Sequence, residues 1–224
     1  MEIGADTNVL LVGATGGIGA ALAAGLRETR LTMLSRSANG IDLTDEASVM
    51  EAAEWLDGPY NLIFDATGAL EIAGRGPEKS LADIDPGAMQ AQFALNAIGP
   101  ALLLKHFGPK LSTDRPAVFA TLSARVGSIG DNRLGGWVSY RASKAALNQI
   151  VRTASIELRR RNKQSVVVAL HPGTVATALS EKYLNRHPSI PAEAAATRLL
   201  EVVRALKPEH SGGFYDYAMG PIPW

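Results

Sequence analysis

The chain contains no cysteine, which excludes a disulfide framework, a thiol nucleophile and any Cys-based metal site. It carries no net charge either, because 22 basic residues balance 22 acidic ones. The general basic footprint of a nucleic-acid binder is therefore missing, and no nucleic-acid partner is expected. The 4 histidines have no metal-ligand spacing, so His171 reads as structural and no metal is expected. No apolar run approaches the length of a membrane span, and Met1-Glu2-Ile3-Gly4-Ala5-Asp6 carries acid where a signal peptide needs base. A cytoplasmic location with no membrane partner is the expectation. Internal repeats and low-complexity tracts are also lacking.

What is present suits one soluble globular domain spanning residues 1–224. Hydrophobic residues make up 46% and charged residues 20%, enough for a sizeable core. Short apolar runs occur at Asn8–Val12, Leu31–Leu34, Asn61–Phe64, Ala117–Leu122 and Val166–Leu170. Their continuity, rather than alternation, predicts strands buried on both faces. Amphipathic stretches between them read as helices, at Asp45–Asp57, Pro86–Phe107, Tyr140–Arg161 and Pro191–Leu206. A last strand is expected within Gly212–Tyr217. Strand and helix in alternation predict an α/β fold, a parallel sheet covered on both faces. Only Ser35–Gly40 separates the second strand from Ile41-Asp42-Leu43, too few residues for a parallel crossover. A helix is thus expected to be missing after the second strand, leaving six strands, or six and a stub at Ile41.

The first strand runs into Gly13-Ala14-Thr15-Gly16-Gly17-Ile18-Gly19 and then an Ala/Leu-rich helix. Glycines are needed where a turn is tight, where backbone must approach a pyrophosphate, and where helix packs close on strand. The helix N-terminus then offers free N–H groups to phosphates. The G-x-x-x-G-x-G spacing resembles the short-chain dehydrogenase/reductase family, with Gly13, Gly17 and Gly19 at its three glycines. Val12 stands where that family usually has threonine.

The end of the second strand bears on which dinucleotide binds. A carboxylate there would accept the adenosine ribose hydroxyls and repel a 2′-phosphate. Ser35-Arg36-Ser37 instead offers a guanidinium fork and two hydroxyls, which favours NADP(H) over NAD(H). Asp42-Leu43-Thr44 resembles the family's adenine-contacting D-x-T segment.

Tyr140-Arg141-Ala142-Ser143-Lys144 supplies a second anchor. Residues four apart share a helix face, so phenol and ammonium point into one cleft. A cation within a few ångströms favours the phenolate and tunes the tyrosine towards acid–base work. The run Tyr140 to Asn148 is similar to the family's Y-x-A-S-K-A-A-x signature. Asn96 agrees as well, in Asn96-Ala97-Ile98-Gly99-Pro100. Pro100 has no N–H, so the carbonyl of Asn96 is left without its helical donor.

Other segments agree less completely. Asp65-Ala66-Thr67-Gly68 stands where N-N-A-G is usual, and His171-Pro172-Gly173-Thr174-Val175-Ala176-Thr177 matches P-G-x-x-x-T. In Ser123-Ala124-Arg125-Val126-Gly127-Ser128 the position of the family's carbonyl-binding serine, three before Gly127, holds Ala124. Either Ser123 or Ser128 could replace it, and Ser123 is preferred because Gly130–Gly136 looks like an insertion.

The resemblance implies a three-layer, doubly wound Rossmann-type sheet and hydride transfer between NADP(H) and a carbonyl/alcohol pair. It implies Tyr140 as proton donor, Lys144 on the nicotinamide ribose, Asn96 supporting Lys144 through water, and Ser123 on the carbonyl. It also implies a cofactor cradle of Gly13, Thr15, Gly17, Ile18, Gly19, Ser35, Arg36, Ser37, Asp42, Leu43, Ala66, Thr67, Gly68, Pro172, Gly173, Val175 and Thr177. Trp137, Val138, Leu70, Leu134 and Tyr183 are expected to form an apolar mouth for a small or medium aldehyde or ketone. The segment Ala178–Ile190 stands where the family carries its substrate lid. Details such as Ser-Ala-Arg-Val-Gly-Ser-Ile resemble the bacterial C-factor-like branch, which leaves a cofactor-binding signalling protein as the alternative. A homodimer or homotetramer is the expected assembly.

Overall fold

A computed structural model describes residues 1–177, 182 and 189–224. Strand β1 (Asn8–Val12) splits its apolar side chains between two layers: Val9 and Leu11 join one core cluster, Leu10 and Val12 the other. That alternation follows from the two-residue period of a strand. Helix α1 (Gly17–Gly25) returns the chain to β2 (Arg30–Leu34), which sits at the sheet edge and is the least buried of the long strands.

No strand forms at Ile41. The turn after β2 is instead a single helical turn, α2 (Arg36–Asn39), where no helix was expected. The Ser35 side chain accepts the Ala38 N–H at its start, and Gly40 ends it at φ 76°. Ile41 and Leu43 are buried without strand pairing, so one crossover helix, α3 (Glu46–Trp55), carries the chain over β1 to β3 (Leu62–Asp65). The Asp45 carboxylate caps α3 by accepting the Ala47 N–H.

The Pro86–Phe107 stretch is helical throughout but not uniform. It comprises α4 (Pro86–Phe93), a π-helical turn at Ala94–Ile98, and α5 (Gly99–Phe107). Pro100 cannot donate to Asn96, and beside that break Gly99 donates its N–H to Ala94, five residues back. Strand β4 (Ala117–Leu122) is fully buried, and α6 (Val138–Arg161) follows. Trp137, at φ 54°, precedes α6 and donates its N–H to the Glu78 carbonyl at 2.7 Å. The Glu78 carboxylate also accepts from the Ser139 backbone and hydroxyl, so a residue distant in sequence caps this helix.

Then come β5 (Ser165–His171), β6 (Val175–Ala176), β7 (Ile190–Pro191), α7 (Ala192–Ala205) and β8 (Phe214–Asp216). The main sheet has six parallel strands in the order β2-β1-β3-β4-β5-β8, and β6 and β7 form a separate pair. Leu22 of α1, Leu26 just beyond its end, and Leu199, Leu200 and Val203 of α7 cover one face. Val49 of α3, Leu103 and Phe107 of α5, and Leu147 and Val151 of α6 cover the other. Each fully buried Leu or Phe of these layers contributes roughly 1.5–3 kcal/mol.

Strand order reverses beside β1, so β2 and β3 flank it and their crossovers leave on opposite sides. Crevices at the carboxyl ends of such strands are where open α/β sheets bind ligands. Among the described residues, no helix is long and apolar enough to cross a membrane, and no His, Asp and Glu cluster could hold a metal ion.

Candidate active site

A cleft of about 370 Å³ opens at that carboxyl edge. Its walls are Gly16, Gly17 and Ile18 after β1, Ala66, Thr67 and Gly68 after β3, and Leu122, Ser123 and Ala124 at the end of β4. Tyr140 and Lys144 of α6 close one side, and His171 to Val175 with Thr177 close another. Twelve of the residues expected from sequence thus share one cavity.

The β1–α1 wall is bare backbone. Gly13 turns the chain at φ 83°, and its N–H and that of Ala14 both donate to the Leu34 carbonyl. A Cβ added at Gly19 would lie 2.0 Å from the Gly13 oxygen, closer than any real contact. One added at Gly17 would meet the Thr177 methyl at 2.6 Å, across the cleft. Helix α1 opens at Gly16, which has no side chain to cap it, and Gly16, Gly17 and Ile18 line the cavity at its positive end.

Further out, the Thr15 and Ser37 hydroxyls meet at 2.9 Å on the surface beside exposed Arg36. Ser35 differs from expectation. It is 3% exposed and its hydroxyl caps α2, so Arg36 and Ser37 are the pair left on the surface for a phosphate. Asp42 accepts the Thr44 N–H and hydroxyl, and those bonds hold its carboxyl below the usual range. Leu43 is buried against Gly99.

On the opposite wall the chemistry is carried by side chains. Lys144 Nζ lies 6.0 Å from the Tyr140 ring centre and donates to the Leu122 carbonyl at 2.9 Å. Burial pushes the Tyr140 phenol up to about 12 and brings the Lys144 ammonium down to about 8. Desolvation thus outweighs the phenolate-favouring effect expected of the lysine. At neutral pH the phenol holds its proton and the amine its charge.

Asn96 is completely buried outside the cavity wall. Its Oδ1 accepts the Ala69 N–H, and its Nδ2 donates to the Ala69 carbonyl and to Gln92 Oε1. Asn96 and Lys144 nevertheless converge on Gly68: a Cβ there would lie 3.1 Å from Asn96 Oδ1 and 3.2 Å from Lys144 Nζ.

Of the two candidate serines, only Ser123 lines the cavity, and it donates its hydroxyl to Asn148 Oδ1 at 2.7 Å. Ser128 is 1% exposed, donates to the Pro223 carbonyl and accepts the Asp131 N–H. Burial and the Arg125 charge bring His171 down to about 4, so it is neutral, and its Nδ1 is buried without a partner.

Comparison with known proteins decides the family. The model described as enoyl-(acyl carrier protein) reductase matches residues 14–215. The C-signal protein of Myxococcus xanthus is 35% identical over 167 residues, covering 75% of this chain and 94% of that one. The 1-hydroxy-2-glutathionyl-2-methyl-3-butene dehydrogenase of a Rhodococcus strain is 33% identical over 179 residues, covering 78% and 74%. The chain belongs to the short-chain dehydrogenase/reductase family. It is thus an oxidoreductase by descent, and solved structures agree on the fold. The carbonyl reductase Sniffer of D. melanogaster superposes with a TM-score of 0.83 at 20% identity, covering 98% of this chain and all of that one. NADPH-bound carbonyl reductase from chicken fatty liver gives 0.81 at 24% identity, covering 100% and 97%.

Within this short-chain dehydrogenase/reductase, the expected apolar mouth does not assemble among the described residues. Leu70 is 4% exposed, Leu134 is 88% exposed, and neither they nor Val138 line the cavity. Trp137 meets Tyr140 edge-on, with ring centres 6.3 Å apart. Tyr183 and most of the expected lid lie outside the described residues. Three supporting residues escaped the sequence reading: Gln92, Asn148 and the carboxylate of Asp65. Gln92 had a signal, since it precedes Asn96 by one helical turn. Asp65 stood in view within Asp65-Ala66-Thr67-Gly68, but its burial could not be read from the letters.

Proposed function

We propose that this chain, acting as one dinucleotide-binding unit, is an NADP(H)-dependent reductase of small or medium apolar aldehydes and ketones. The observation that carries the reading is the pairing of a protonated Tyr140 and a charged Lys144 with bare glycine backbone across one cleft. The backbone wall fits a dinucleotide, because a side chain at Gly17 would fill the space against Thr177. Likeness to an NADPH-bound carbonyl reductase and to NADP-bound members from Burkholderia supports the choice of cofactor.

When bound, NADPH supplies the hydride. Tyr140 donates its phenolic proton to the carbonyl oxygen as the alcohol forms, the work of a general acid. Lys144 holds the nicotinamide ribose and places positive charge beside the phenol, favouring the phenolate left after proton transfer. Asn96 fixes the Ala69 backbone next to Gly68 and supports Lys144. Gly13, Gly17, Ile18 and Gly19 receive the pyrophosphate, Thr15, Arg36 and Ser37 the 2′-phosphate, and Asp42 and Leu43 the adenine. Ala66, Thr67, Gly68, Pro172, Gly173, Val175 and Thr177 line the cofactor's inner half.

The cysteine-free outer face of α6, with Ile156 half exposed, pairs copies into a homodimer or homotetramer; sedimentation showing monomer alone would contradict this. A second reading, a cofactor-binding signalling protein, draws support from Ala124 in the cavity and from likeness to the C-signal protein.

Titration with NADPH and NADH, followed by a panel of aldehydes and ketones, separates the two. The reductase reading expects tighter NADPH binding and oxidation that falls by about 10²–10⁴-fold in Tyr140→Phe, with NADPH affinity retained. Tight binding with no turnover of any carbonyl favours the signalling reading.

A further inference from the structure

The sheet carries a fully buried carboxylate beside the site. On β3, Leu62 and Phe64 pack into the layer with α1 and α7, while Ile63 packs into the layer with α5 and α6. The two-residue period therefore turns Asp65 towards α6, the helix that bears Lys144. Asp65 is 0% exposed. Its Oδ1 accepts the Thr67 N–H at 3.0 Å and hydroxyl at 2.6 Å, and its Oδ2 accepts the hydroxyl of Thr121, its register partner on β4, at 2.7 Å. Lys144 Nζ bonds the carbonyl of Leu122, the very next residue of β4.

Burial raises the Asp65 carboxyl above the usual carboxylate range, while these three donors and the Lys144 charge favour its ionised form. The groups around it decide what balances its charge. From β4 comes Thr121 and from the loop after β3 Thr67, while the uncharged Asn96 of the π-helical turn meets Lys144 at Gly68. From α6 comes Lys144, with the Tyr140 ring, whose phenol keeps its proton, 6.0 Å from its Nζ. Among the described residues, Lys144 is the charge that acts on Asp65, and Asp65 the charge that acts on Lys144.

We propose that Asp65 is a positioning residue of this site, the buried counter-charge that keeps the Lys144 ammonium charged and held at the Leu122 carbonyl. It thereby sets the alkaline limit of cofactor binding and of turnover. The turnover part rests on the reductase reading above, whereas the binding part stands without it. Opposite charges in a dry interior favour each other's charged forms, and burial alone disfavours both. Removing the carboxylate leaves only the burial penalty on Lys144, so the amine gives up its proton at lower pH.

The test is the NADPH dissociation constant of the full chain from pH 6 to 10, followed by fluorescence, with carbonyl turnover measured alongside. In the parent, affinity is expected to fall through about pH 8, where Lys144 loses its charge. Asp65→Asn keeps the size of the side chain and an acceptor for Thr67, and is expected to move that midpoint down by about one pH unit. Thr121→Val removes one hydrogen bond from the carboxylate and is expected to move it the same way by less. Thr121→Val decides the matter should Asp65→Asn fail to fold. A midpoint unmoved or raised in the folded variants would overturn the proposal. Parent protein that binds NADPH yet reduces no carbonyl defeats the reductase reading alone, since the binding midpoints still report on Asp65.

Discussion

On the β1–α1 side of the cleft the chain presents backbone, at Gly16, Gly17 and Ile18, with Gly13 and Gly19 packed behind. On the β4–α6 side it presents Tyr140, Lys144 and Ser123, with Asp65, Asn96 and Asn148 buried behind them. The first wall works by what it omits, since each missing Cβ leaves room for backbone or ligand. The second works by what it orders: a set of polar side chains with hydrogen-bond partners at the sheet edge. The first wall is therefore sensitive to added bulk, and the second to altered charge.

On cofactor binding, which Tyr140→Phe leaves intact, the largest expected effect falls on the backbone wall. Gly19→Ala places a methyl 2.0 Å from the Gly13 oxygen, so the turn must open. NADPH affinity is expected to fall by about a hundredfold or more, with a lower melting temperature, as strain of ~3 kcal/mol at such a site implies. A variant that binds and melts like the parent would break the contrast at its root.

Arg36→Ala probes the far end of the same wall. Loss of a charge-assisted bond to a 2′-phosphate is expected to weaken NADPH by about tenfold and leave NADH unchanged, in parallel titrations. Equal losses for both cofactors would assign Arg36 to the surface alone.

The smallest effects lie on the side-chain wall, where hydroxyls are already committed. Ser123→Ala is expected to change kcat/KM by less than about threefold, because its proton goes to Asn148 rather than to substrate. Ala124→Ser adds a donor to the cavity and is expected to raise kcat on unactivated ketones by several-fold up to about tenfold. If Ser123→Ala is the damaging change, Ser123 swings to the substrate and the commitment seen here is broken.

Legibility in the sequence divides along the same line. The glycine turn, the parallel sheet and the helix-spaced Tyr140 and Lys144 were readable because each rests on local rules: φ, strand continuity and the helical repeat. Pro100 likewise pointed to a break at Asn96, although the letters did not say that the helix would answer with a π turn. The end of β2 left two outcomes open, six strands or six and a stub, and six form because Ile41 and Leu43 are buried as loop residues. Ser35 read as a cofactor contact, and its hydroxyl caps α2. Both cases concern which of two uses a residue is put to, and neighbours far along the chain decide that.

By itself, then, the sequence determined the alternation of strand and helix, the bare turn after β1 and the presence of a phenol and an ammonium on one helix face. Only the tertiary structure decided the states of those groups. It buried Asp65 in the sheet beside Thr121, gave the Ser123 proton to Asn148 and capped α6 with Glu78. The physical reason is that dihedral preferences and periodicity act between near neighbours, whereas desolvation and charge depend on what the fold packs around a group.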